Sequence, residues 1–86
     1  MLITKTIVAD KIASYLHHDI THAQLVDWAE CAMMEDEFDE NSLSAIRSAV
    51  SRLGVADVRA FGLTWEDCEE LLRQLGFSAR IQIVTA

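Results

Sequence analysis

The chain contains no proline and only three glycines in 86 residues. Turn-rich β-sandwiches and small irregular scaffolds need both residue types for their tight turns, so neither architecture is expected. Two cysteines, Cys31 and Cys68, are too few for a disulfide framework. Each falls in a stretch that reads as helix, and both are expected as free thiols. No run approaches the roughly 20 apolar residues that span a bilayer. Lys5, Asp10 and Lys11 interrupt the N-terminal MLITKTIVADKI before it can form a secretory h-region. These absences predict a cytoplasmic protein with no membrane partner. Positive charge is scarce as well: seven Lys and Arg stand against fourteen Asp and Glu, a net charge of −7. Duplex binding requires clustered cations that displace phosphate counterions, so nucleic acid is not expected as a partner.

What is present suits a single mostly α-helical domain over residues 1–86. Half the residues are apolar (51%), with two Trp, three Phe and one Tyr, which is too rich in core-formers for a disordered chain. A first helix is predicted over 5–18, with Thr4 as N-cap and Val8, Ile12, Tyr15 and Leu16 on one face. Thr21-His-Ala-Gln24 has the form of a capping box and opens a second helix that ends near Met34, with Leu25, Trp28, Ala29 and Ala32 inward. Residues 35–40, EDEFDE, read as a connector. A third helix follows to Leu53, capped by Asp39 or Asn41, with Leu43, Ile46, Val50 and Leu53 as its seam. Gly54 and Val55 are expected to end it in a left-handed Schellman turn, and Gly76 and Phe77 to end the fourth helix in the same way. That fourth helix starts from Thr64-Trp-Glu-Asp67 and carries Trp65, Cys68, Leu72 and Leu75 inward. Between them, 57–61 suits one short helical turn closed by Gly62.

The expected fold is thus a bundle of four main helices, a short helical turn and one C-terminal β-strand. The expected core is Val8, Ile12, Leu16, Leu25, Trp28, Ala32, Leu43, Ile46, Val50, Leu53, Phe61, Trp65, Cys68, Leu72 and Leu75. The strand is assigned to Arg80, Ile81, Gln82, Ile83 and Val84, which alternate and are β-branched. A strand needs hydrogen-bonding partners. Residues 1–4, another protein's sheet edge, or the same strand of a second copy could supply them, and the last would make a homodimer.

The charge is unevenly distributed. Between Lys11 and Arg47 there is no Lys or Arg, while Asp19, Asp27, Glu30, Glu35, Asp36, Glu37, Asp39 and Glu40 all fall there. From Arg47 onward five Arg balance five acids. Asp39 and Glu40 would sit favourably at the start of the third helix, where the dipole attracts negative charge. Glu35, Asp36 and Glu37 sit at the C-terminal end of the second helix, where the same dipole opposes them. Solubility is one reason to place acids there; a docking patch for a basic protein is the other. A partly exposed Trp28 beside Asp27 and Glu30 would add an aromatic anchor.

Catalytic chemistry finds no footing. The glycines are isolated, so there is no phosphate-binding loop, and the D-x-[DN]-x-[DN]-G calcium pattern is missing. Cys68 lies on an inner seam, and Cys31 lacks the electropositive surroundings of a nucleophilic thiolate. His17, His18 and His22 are candidate metal ligands; His18 and His22 have i,i+4 spacing, but the break at 19–21 separates them. No cofactor is expected. In its small size, acidity and helix content the chain resembles toxin-neutralising immunity proteins of bacteria, a likeness of composition that carries no residue roles. The functional expectation is a non-catalytic, homodimeric interaction module. The alternatives are an immunity-type inhibitor using 30–40 against a basic toxin or nuclease, and a metal protein using the three histidines.

Overall fold

A computed structural model describes residues 2–35, 37–56 and 62–79, with only the backbone at Glu35. Among these residues the protein is mostly helical: β1 (Leu2–Ile3), α1 (Lys5–Leu16), α2 (His22–Glu35), β2 (Glu37–Phe38), a 3₁₀ turn (Glu40–Ser42), α3 (Leu43–Gly54) and α4 (Trp65–Gln74). No helix among them is long and apolar enough to cross a membrane.

Local chemistry accounts for the helix starts. Thr4 is extended, and its Oγ1 accepts from the Ile7 amide at 3.3 Å to open α1. At α2, Thr21 Oγ1 accepts from the Gln24 amide (3.1 Å), and Gln24 Oε1 accepts from the Thr21 amide (2.8 Å). At α4, Thr64 and Asp67 exchange the same pair of bonds at 3.1 and 2.9 Å. Each reciprocal pair satisfies two amides that a helix leaves without an internal partner. The Asp39 carboxylate accepts from the Asn41 amide and so caps the 3₁₀ turn ahead of α3.

The helix ends depart from expectation in two places. α1 stops at Leu16, two residues early, because His18 adopts φ 64°. The His18 amide then donates to the Tyr15 carbonyl, and Asp19 to Ser14, which completes a Schellman turn with histidine in the position glycine usually takes. Gly54, expected to be left-handed, is instead the last residue of α3, and Val55 at φ −107° follows it. At Gly76 the expectation holds: φ is 91°, its amide donates to Arg73, and Phe77 donates to Leu72. Leu-Gly-apolar therefore marks a helix end at both sites but a left-handed turn only at Gly76. At Gly54 an added Cβ would lie 3.9 Å from Glu30 Cγ on α2, an ordinary contact distance, so neither the backbone nor the packing requires glycine there.

The connector is also not a plain loop. β1 and β2 pair in parallel, Leu2 with Glu37 and Ile3 with Phe38, and the Asp39 amide donates to the Ile3 carbonyl at 2.9 Å. Strand alternation puts Ile3 fully inside while Leu2 is half exposed. The strands thus lie at residues 2–3 and 37–38, whereas the strand and homodimer contact expected at Arg80–Val84 fall outside the described residues. The helical turn at 57–61, with Phe61, does so too.

α2 and α3 form the most extensive helix pair, and α1 packs against α2, α3 and α4. Their shared core comprises Ile3, Val8, Ala9, Ile12, Leu25, Ala29, Ala32, Ile46, Ala49, Val50, Leu53, Cys68, Leu71, Leu72 and Leu75. Leu16 and Trp28 pack on its edge, and Leu43 and Trp65, expected inside, are only half-buried. Both lie in the first turn of a helix, where the inward face is still open to solvent. Arg52 on α3 reaches Asp67 on α4 at 3.2 Å and ties the last two helices together.

Candidate interaction surface

The inward stripe of α2 (Leu25, Val26, Ala29, Ala32) determines what the helix shows to solvent. Asp27, Glu30, Cys31 and Met34 follow at helical spacing on the opposite side, and all are exposed. Met34 is 85% exposed and its neighbour Met33 47%. Methionines are usually core-fillers, and here two adjacent ones are left in water beside carboxylates. Directly after them, β2 turns Phe38 toward the core and Glu37 outward, so the short ladder fixes the direction of that carboxylate.

The sequence nominated Trp28, Glu30, Glu35, Asp36 and Glu37 as partner contacts. Glu30 and Glu37 stand on this exposed surface. Trp28 does not join them: it is half-buried against the core, with Lys11 Nζ 5.7 Å from its ring centroid, so a cation covers it from α1. The Glu35 side chain and Asp36 lie outside the described residues. Met34 was missed in the sequence, although the signal was there: two residues past inward-facing Ala32 is about 200° around the helix, which is off the core.

The histidines take separate positions. His17 caps α1, His18 forms the left-handed turn, and His22 is the first residue of α2. The His22 ring stacks at a tilt on Tyr15, with centroids 5.8 Å apart, and its Nε2 is buried with no hydrogen-bond partner among the described residues. Among those residues no three of His, Cys, Asp and Glu gather into a group able to hold a metal ion.

The two thiols differ sharply. Cys31 is exposed, and Cys68 is fully buried in α4. Burial, with the negative charge of Asp67 adding to it, pushes the Cys68 thiol up to about 11, so it is protonated and unreactive near neutrality. Asp67 itself is held below the usual carboxylate range, chiefly by the hydrogen bond from the Thr64 amide. An open groove of about 260 Å³ between α3 and α4 is lined by Ser48, Arg52, Asp67, Glu70, Leu71 and Gln74. Its Arg52–Asp67 pair and the Thr64 cap already engage the charged groups in holding the helices. Comparison with protein families, with curated proteins and with solved structures finds no match.

Proposed function

We propose that this protein is a non-catalytic interaction module that binds a basic protein through the acid-rich end of α2 and the residues following it. The observation that carries this reading is Met34, 85% exposed in line with Asp27 and Glu30 and just ahead of Glu37. Fold stability accounts for neither the apolar side chain in water nor the acids at a helix C-terminus. A partner surface that supplies cations and an apolar contact accounts for both. An immunity-type inhibitor, masking the basic site of a toxin or nuclease, is the specific form with the same requirements.

The test is capture from the native host by the wild type and by the E35K/D36K/E37K variant, at low and high salt. The reading expects a basic protein held by the wild type at low salt, released at high salt and missed by the variant. Equal capture by the variant would overturn it. A second reading, self-association through Arg80–Val84, rests on the alternating β-branched pattern of that segment. Sedimentation of the full chain against a chain lacking 78–86 decides it: a dimer that becomes a monomer supports pairing, and an unchanged state removes it.

A further inference from the structure

We propose that Met33 and Met34 are sites of reversible oxidation by peroxides, and that Ser51 makes them unequal. Met34 oxidises first and to both sulfoxide epimers; Met33 oxidises later and mainly to one. The proposal stands on the two thioethers and involves no binding partner, so it goes beyond the acidic-surface reading. The two side chains are neighbours at the end of α2 with different surroundings. Met34 is 85% exposed, and no hydrogen bond reaches its sulfur among the described residues. Met33 is 47% exposed, and its Sδ accepts a hydrogen bond from Ser51 Oγ on α3 at 3.4 Å. Packing shields a core methionine from oxidants dissolved in water, and neither of these has that shield.

In the reaction a sulfur lone pair attacks one oxygen of hydrogen peroxide, the O–O bond breaks and an S–O bond forms. The departing hydroxide takes the proton of the transferred oxygen and leaves as water. The thioether is oxidised to the sulfoxide, and the peroxide is reduced. A thioether sulfur carries two lone pairs, and attack through one or the other gives opposite configurations at sulfur. At Met33 the Ser51 hydroxyl occupies one of them, so the oxygen arrives through the other. Donation from Ser51 also draws electron density from the sulfur, which slows the attack. At Met34 both lone pairs face water. The consequences differ as well. Oxidation of Met33 moves the acceptor from sulfur to an oxygen on the side away from Ser51, so this α2–α3 contact is lost. Met34 has no such contact to lose. Sulfoxide reductases, each specific for one epimer, reverse both products.

The experiment treats the full chain with hydrogen peroxide in a Cys31→Ser background, because Cys31 is also exposed and carries sulfur. Peptide mass spectrometry times the oxidation of each methionine. The two epimer-specific sulfoxide reductases, applied to the oxidised chain after unfolding, read the configuration at each sulfur. Met34 should oxidise at least about twofold faster than Met33, in keeping with their exposures. One reductase should repair most of the Met33 sulfoxide, whereas each should repair a comparable share at Met34. Ser51→Ala should narrow the difference in rate and remove the bias at Met33. With Met34→Leu in place, peroxide should lower the urea midpoint; with Met33→Leu in place, it should leave the midpoint unchanged. Equal rates at the two methionines, no epimer bias at Met33, or a bias that survives Ser51→Ala would overturn the proposal. So would a urea midpoint that oxidation of Met33 does not move.

Discussion

The C-terminal ends of α2 and α4 are built in opposite ways. α4 closes with Arg73 in its last turn, a left-handed Gly76 and two Schellman bonds, and Leu75 and Phe77 pack on the core. Every one of those choices agrees with the physics of helix termination. α2 closes with Glu35, no basic residue in its last turn, and two methionines in water. Agreement among local signals is what specifies a fold, and places where they conflict are where function is usually sited. The contrast is why we propose the interaction surface at the end of α2 and not on α4.

The largest effect that sharpens this contrast is Leu72→Ala in α4. It should cost about 2–5 kcal/mol in urea denaturation, because a buried side chain leaves a cavity. Met34→Ala should stay within roughly 0.5 kcal/mol, since almost nothing packs on it. Equal losses would dissolve the distinction. Next, Gly76→Ala should cost about 1–2 kcal/mol by forcing a Cβ into the left-handed region. Gly54→Ala should instead gain roughly 0.5 kcal/mol, because its backbone is helical and the nearest atom leaves room.

The pH response should also belong to α4. Asp67 is lowered in the folded state, so its contribution is complete above the unfolded carboxylate range and lost as pH falls through its folded value. Cys68 is raised from its usual 9.0 to about 11, so its contribution is complete below the former and lost as pH rises toward the latter. Asp67→Asn should flatten the acid limb of a stability–pH curve, and Cys68→Ala the alkaline limb. Thiol labelling at mildly alkaline pH should modify Cys31 quickly and Cys68 only on unfolding; comparable rates would contradict the burial of Cys68.

Much of the helical framework was legible because it rests on short-range chemistry. Thr4, Thr21 with Gln24, and Thr64 with Asp67 each open a helix through bonds within three residues, and such signals survive in a single sequence. The seam of α3 and the stop at Gly76 were readable for the same reason. One misreading depends on a distant partner. Glu37–Phe38 becomes a strand only because Leu2–Ile3, some 35 residues earlier, lies beside it. Gly54 stays helical, and a close approach of α2 leaves it uncrowded. His18 takes the left-handed turn that no glycine was present to mark. At the surface, the acids were visible as composition, while the exposure of Met33 and Met34 followed from which side of α2 met α3.

The central claim is that the acids at the end of α2 serve binding and work against the fold. Thermal and urea denaturation of E35K/D36K/E37K beside the wild type at low salt tests this most directly. Placing cations at that helix terminus should raise stability by roughly 0.3–1 kcal/mol, with the gain fading as salt is added. A clear loss of stability would contradict the account, because it would mean that these carboxylates hold the fold together.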